Sequence, residues 1–140
     1  MAFTGNYSCN TLRSGLADGT INLSTDTFYL ALYTNAASLD QTTTAYTAVG
    51  EASGGNYSAG GQVVTATVNS APTTSGSVVY VAFSSPSWTG EITARGALIY
   101  KAGDDGAVCV LDFGSDKISN STFTVTMPAD TSTSALIRLL

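Results

Sequence analysis

Apolar positions in this chain recur mostly every second residue, and only one short segment repeats them at helical spacing. Leu12 and Leu16 stand four apart within residues 9–18, with Asn10 placed to cap and Gly19 to stop, which predicts one short N-terminal helix. After a turn over 22–26, residues 27–33 alternate Phe28, Leu30 and Leu32 with Tyr29, Ala31 and Tyr33, the two-residue period of a strand. Both faces of that strand are apolar or aromatic. It is therefore expected either in the centre of a sandwich or with one face against a neighbouring subunit.

From residue 62 onward the pattern predicts strand after strand. Residues 62–69 alternate with many threonines, 77–83 put Val79, Val81 and Phe83 on one face, and 91–101 put Ile92, Ala94, Leu98 and Tyr100 on one side. Lys101-Ala-Gly-Asp-Asp-Gly106 is a hairpin turn leading into a strand over 107–113. Residues 122–127 place Phe123, Val125 and Met127 inward and Thr122, Thr124 and Thr126 outward, and 134–140 form a last strand whose apolar end is expected to be covered. About seven strands separated by Gly, Pro, Asp and Ser, with almost no helix between them, point to a mainly β fold. The expectation is one domain over 1–140, an antiparallel β-sandwich or barrel with jelly-roll or immunoglobulin-like connectivity, plus the short helix. No internal repeat is present.

Residues 34–61 carry no periodic pattern, apart from a helical turn predicted within 36–46. Loops of this length in compact domains are commonly functional or interfacial. Gly50, Gly54, Gly55, Gly60 and Gly61 permit tight bends, and Tyr57 among them is suited to anchor the loop on the domain. The segment reads either as a surface loop pinned by its tyrosine or as a contact surface.

Composition narrows the class. Ser and Thr supply 38 residues against 15 charged ones, a balance common in extracellular, particle-surface and fibre-like β proteins. A net charge of −5, with no like-charge run longer than Asp104-Asp105, excludes a nucleic-acid-coating role, which needs clustered cations. No apolar window reaches 18 residues, so no membrane partner is expected, and the first residues lack signal-peptide character, so synthesis in the cytoplasm is expected. In that compartment Cys9 and Cys109 are expected as two reduced, buried thiols.

Candidate chemistry is sparse. With no histidine, Ser-His-Asp and Cys-His catalysis and imidazole-dependent zinc sites are excluded. No phosphate-binding or dinucleotide-binding glycine motif occurs. Asp104-Asp105 reads as a turn, since a calcium loop stacks more oxygen ligands. Asp112 and Asp116 could serve a glycosidase as acid and base, but the pair reads more simply as a solvated turn with an ion pair to Lys117. No catalytic, cofactor-binding or metal-binding residue is assigned. Arg95, inside an apolar strand, needs either solvent beside Thr93 and Lys101 or a carboxylate partner across a subunit contact, with aromatic neighbours from Tyr29, Tyr33, Tyr46, Tyr80 and Trp88.

The stretches Phe3-Thr-Gly-Asn-Tyr-Ser-Cys-Asn10, Leu30-Ala-Leu-Tyr-Thr-Asn-Ala-Ala37, Gly54 to Gly61, Ile92-Thr-Ala-Arg-Gly-Ala-Leu-Ile-Tyr-Lys101 and Val110-Leu-Asp-Phe-Gly-Ser-Asp-Lys117 together resemble small structural proteins of tailed-bacteriophage virions. The likeness spans most of the chain and contains no catalytic signature. It implies a non-enzymatic capsid cement, or decoration, protein made in the host bacterial cytoplasm and carried on the capsid surface of the virion. Its implied partners are the major capsid protein, across whose junctions it would bind, and further copies of itself in a dimer or trimer. The alternative is a tail or fibre component that binds a host-surface carbohydrate or receptor, with Trp88 as the sugar platform. The assembly interface is expected to use Tyr29, Tyr33, Tyr46, Gly54, Gly55, Tyr57, Gly60, Gly61, Trp88 and Arg95. Shell contacts are placed in 35–61 and self-association on the sheet carrying Tyr29, Tyr33 and Arg95.

Overall fold

The alternating and helical segments are realised in a computed structural model that describes residues 3, 5–73, 76–131 and 134–139. A short strand β1 (Tyr7–Ser8) leads straight into α1 (Asn10–Asp18). The helix begins one residue earlier than its sequence suggests: Cys9 occupies the cap with extended backbone and no side-chain cap bond. Asn10 is already helical, and its Oδ1 accepts from Arg13 Nη2 at 2.8 Å. Gly19 ends the helix in the left-handed conformation, as a glycine stop should.

The remaining strands are β2 (Phe28–Tyr33), β3 (Gln62–Val64), β4 (Ala66–Thr73), β5 (Gly76–Phe83), β6 (Ser87–Thr89), β7 (Ile92–Lys101), β8 (Ala107–Ser119), β9 (Thr122–Thr124) and β10 (Ile137–Leu139). They form three antiparallel sheets: β1-β8-β7-β2-β3, β10-β5-β4 and the ribbon β6-β9. The protein is thus mainly β with one short helix near its N-terminus. The segment 62–69, read as one strand, is divided at Thr65, whose backbone is tied to Ser84 (Ser84 N to Thr65 O, 2.9 Å) while the chain passes from one sheet to another. Pattern alone does not reveal such a change of partner. No helical turn forms within 36–46. The last strand is shorter than 134–140, and Leu140 lies outside the described residues.

The five-stranded sheet is covered on both faces, which is why β2 is apolar on both. One face, carrying Phe28, Leu30, Leu32, Ala97 and Ile99, packs with Val81 and Phe83 of β5, Trp88 of β6, Phe123 of β9 and Leu12 of α1 into the main core, a sandwich-like arrangement. The other face, carrying Ala31, Tyr33, Leu98, Tyr100 and Val110, is covered by Phe3, Ala37 and Leu39. The long segment 34–61 supplies part of that cover. The second face of β2 is therefore buried within its own chain and needs no neighbouring subunit to cover it.

Two irregularities in the β7–β8 hairpin decide which side chains face which core. The register slips between Ala94 and Gly96 and again between Ile99 and Tyr100. As a result Ile92 and Ala94 belong to the main core while Leu98 and Tyr100 face the opposite way, in place of the single face their spacing suggests. At the first slip, Gly96 pairs with Asp112 and Ala94 with Lys117, so Phe113-Gly-Ser-Asp116 bulges out of β8 opposite Arg95. Cys9 and Cys109 are both buried and unbonded, on opposite faces of the sheet.

Candidate functional site

Residues 34–61 fold into a strap held on the β2–β7 face by backbone bonds at both ends. Thr34 N donates to Gly50 O at 2.8 Å and Ala52 N to Leu32 O at 2.9 Å, while Tyr46 N and Ala107 N tie the strap to the β7–β8 turn at 2.9 and 3.0 Å. Its centre is Glu51. One carboxylate oxygen accepts from Tyr46 Oη at 2.6 Å, and the other accepts from Tyr57 Oη at 2.5 Å and from Gly60 N at 2.7 Å. Tyr57 Oη in turn accepts from Leu32 N at 2.9 Å, so the carboxylate is linked through one phenol to the β2 backbone. Hydrogen bonds to an ionised acceptor are stronger than neutral ones, and here three converge on one side chain.

Aromatic rings complete the clasp. Tyr46 stacks on Tyr100 with centroids 4.8 Å apart, Tyr29 stacks on the same ring at 5.9 Å, and Tyr57 leans on Trp88 at 5.5 Å. Tyr33 Oη donates to Thr47 O at 2.7 Å and Tyr100 Oη to Gly60 O at 2.6 Å. Burial pushes the hydroxyls of Tyr33, Tyr46 and Tyr57 above the ordinary tyrosine range, and the Glu51 charge adds to it. Tyr100 is pushed up to about 12, again chiefly by burial. The cluster therefore holds neutral phenols around one carboxylate.

Of the expected interface residues, the tyrosines and Trp88 turn inward, whereas Gly54 and Gly55 are exposed and Arg95 lies apart, beside Asp112. Tyr33 is fully buried, and Tyr29, Tyr46 and Tyr57 are half-buried against the second core face and the main core. A Cβ on Gly61, whose φ is +81°, would sit 1.8 Å from Leu30 O, and one on Gly54 would sit 2.3 Å from Glu91 O. Gly55 lies as close to Thr89 O, and Gly60 packs beside Tyr100 Oη. These glycines let the strap lie close against β2 and against the connection between β6 and β7. The reading of the segment as a loop pinned by Tyr57 describes what is observed. Trp88 is 2 % exposed, with its ring inside the main core, so it offers no face to a sugar.

Arg95 corrects both of its expected placements. It is 8 % exposed and ion-paired with Asp112 of the adjacent strand, so it faces neither solvent nor a carboxylate of another subunit. Its guanidinium lies 5.8 Å from the centre of the Phe3 ring, a cation–π contact. Burial alone would raise the Asp112 carboxyl, but the Gly114 N–H bond at 2.8 Å and Arg95 outweigh it and hold the carboxyl below its usual range. Asp112 and Asp116 are not a solvated pair at a turn: Asp112 is engaged by Arg95, while Asp116 is exposed on the bulge. Among the described residues no group of acids or thiols is placed to hold a metal ion.

Glu51 is the residue sequence reasoning passes over. Its signal was available: it is the single acid between positions 41 and 90, flanked by Tyr46 and Tyr57.

Large apolar side chains are exposed both on the strap and on the strands. Val49 on the strap, Val63 on β3, Val68 on β4, Val79 on β5, Ile118 on β8 and Leu139 on β10 are exposed. Three open depressions border Leu139 and Ile118. One of about 440 Å³ runs between α1 and β10, another of about 390 Å³ lies beside Ile118 and β9, and a third of about 550 Å³ lies between Thr34 and Asn120. Compared with protein families, with curated proteins and with solved structures, the chain finds no match.

Proposed function

We propose that this protein is a non-enzymatic structural subunit of a tailed-phage virion, a capsid cement protein that binds across junctions between major capsid proteins and stabilises the head. The reading starts from the sequence resemblance. The structural observation that supports it is the distribution of exposed apolar side chains: Val63 and Ile118 lie on the five-stranded sheet, Val68, Val79 and Leu139 on the three-stranded sheet, and Val49 on the strap. A subunit able to touch more than one neighbour holds them with modest contacts, because the second contact forms at high effective concentration. The closely hydrogen-bonded strap supports the same reading, since a surface ordered before binding loses less entropy on docking. Shell contacts are accordingly assigned to these exposed apolar positions, Val49 within residues 35–61 among them, while the Glu51 cluster braces that segment on the fold. The tail-fibre alternative had Trp88 as its sugar platform, and the burial of that ring leaves it without one.

The test is cryo-electron microscopy of the intact particle that carries the protein. Many symmetric copies seated at capsomer junctions are expected. A few copies at a fibre tip, or none on the head, would overturn the proposal.

A further inference from the structure

We propose that two copies of this protein pair edge to edge through β4, antiparallel about a two-fold axis at Val68, joining their three-stranded sheets into one. The inference adds to the cement reading the surface through which copies meet. It stands on β4 alone, so either can fail without the other.

β4 is an outer strand of the sheet β10-β5-β4 and, among the described residues, is hydrogen-bonded to β5 alone. It is eight residues long, whereas the other outer strands, β1, β3, β6, β9 and β10, run two or three. Short edges guard a sheet against pairing with another chain, and so do charged side chains, bulges and proline. β4 lacks the first three. Its register with β5 runs from Ala66 opposite Phe83 to Thr73 opposite Gly76 without a shift, and no charged residue occurs between Glu51 and Glu91. Pro72 guards one end only. From Ala66 to Pro72 every residue is exposed or half-buried, so the edge is accessible.

The alternation of ladder bonds fixes which groups face outward. Ser84 N donates to Thr65 O at 2.9 Å, so Thr65 turns its backbone toward β5, and every second residue after it does the same. Ala66, Val68 and Ser70 therefore turn N–H and C=O away from β5, while Pro72 turns out a carbonyl but has no N–H. In an antiparallel pair centred on Val68, that residue stands opposite itself and Ala66 stands opposite Ser70. Every outward N–H and C=O of the three then meets its match in the other copy, and Pro72 falls outside the ladder. Centring on Asn69 instead would set Pro72 opposite Ala66 and leave the Ala66 carbonyl unmatched.

Side chains and charge favour the same occupant. Val68 shares a face with Val79, which stands opposite Leu139, and the three are 40 %, 37 % and 46 % exposed. Pairing sets the two Val68 side chains beside each other, which moves Val68 from the shell contacts to the contact between copies. A partner chosen by charge finds nothing to grip on β4, whereas a second copy meets an edge as neutral as its own. Asp130, which accepts from Asn69 Nδ2 at 3.0 Å, stands over a position opposite Thr67 in this register and not over its own counterpart. The net charge of −5 opposes association at long range, and salt screens it. This edge replaces the self-association expected on the sheet carrying Tyr29, Tyr33 and Arg95, since contacts within the chain already engage those residues.

Sedimentation velocity of the full chain from about 1 to about 500 µM, in about 0.15 M salt, is expected to show monomer passing to dimer, and the dimer should tighten in about 1 M salt. Val68→Lys and Val68→Glu each set like charges opposite one another at the axis and should weaken the dimer at least about tenfold; an equimolar mixture of the two should restore it. Restoration requires a register in which position 68 faces itself. Ser70→Pro removes an outward N–H and no bond to β5, and should also weaken the dimer at least about tenfold with unchanged β-sheet circular dichroism. Should that variant unfold, the Val68 pair decides alone. Wild-type protein that stays monomeric to about 500 µM would overturn the proposal and leave the edge to a strand of another protein. A dimer that survives Val68→Lys and Val68→Glu, or a mixture of the two that stays monomeric, would overturn it as well. Wild-type dimers in solution with the protein found off the head would overturn the cement reading and leave the pair. Monomers in solution with copies seated at capsomer junctions would do the reverse.

Discussion

Replacing Glu51 tests whether one carboxylate holds the strap. In Glu51→Ala, three donors lose their acceptor: Tyr46 Oη at 2.6 Å, Tyr57 Oη at 2.5 Å and Gly60 N at 2.7 Å. Each hydrogen bond to a charged group contributes about 1.5–3 kcal/mol, so an additive upper bound lies near about 4.5–9 kcal/mol. That bound is too high for two reasons. All three donors belong to half-buried residues, so water reaches part of the site, and a half-buried carboxylate recovers hydration when it is removed. The expected cost is about 3 kcal/mol. Glu51→Gln keeps one acceptor oxygen, which can serve Tyr57 and Gly60, while its amide faces Tyr46, whose hydroxyl can rotate to accept. Its cost should be about 1 kcal/mol, that of exchanging charged hydrogen bonds for neutral ones. Urea unfolding at pH 7, followed through Trp88, reads both; the indole is buried and its ring centre lies 5.5 Å from that of Tyr57, so it reports on strap release. A double-mutant cycle with Tyr57→Phe should give a coupling energy above about 1 kcal/mol, as expected for groups in one network. Glu51→Ala within about 0.5 kcal/mol of wild type, the level of an ordinary surface change, would refute the reasoning. So would equal costs for the Ala and Gln variants.

Gly61→Ala should cost more than about 3 kcal/mol, because its Cβ would overlap Leu30 O at 1.8 Å and its φ is left-handed. Gly103→Ala, also at positive φ but with nothing within 4 Å, should cost only about 1 kcal/mol, and comparing the two melting temperatures separates collision from backbone strain. The depressed Asp112 carboxyl contributes stability that is present above the ordinary carboxylate pKa and lost as pH falls through its lower folded value. Asp112→Asn should therefore flatten the acid limb of a urea-midpoint profile below about pH 4, and an unchanged limb would count against the Arg95 pairing. The clasp tyrosines act in the opposite direction: their folded pKa is raised, so their contribution is complete below about pH 10 and lost as pH climbs through about 12, the value for Tyr100. Tyrosinate absorbance should show a late component that rises together with the loss of β-sheet circular dichroism. Early ionisation of all seven tyrosines before any unfolding would contradict the clasp.

Local chemistry was legible where one neighbour decides it. The period of two in β2 and β9, the glycine stop at Gly19 and the Lys101–Gly106 turn depend on residues a few positions apart, and each is found in the structure. Tyr57 was readable as an anchor because it stands alone among glycines. What it anchors to was not, since Leu32 lies 25 residues away and the link runs through a carboxylate that no motif marks. The bulge opposite Arg95 was equally hidden: alternation assigns faces only while two strands stay in register, and the slip between Ala94 and Gly96 depends on how β8 pairs.

The sequence by itself therefore determined the class of the protein: a β-rich, histidine-free, acidic chain with one short helix, because composition and short-range periodicity set which local structures are affordable in free energy. Only the tertiary structure decided which apolar faces are covered. It buried Trp88 and Tyr33, turned Arg95 toward Asp112, closed the strap over the second face of the sheet, and left the Leu139–Val79 pair exposed. Those outcomes rest on pairings between residues far apart in the chain. Local propensity carries no term for which distant strand will arrive to make them.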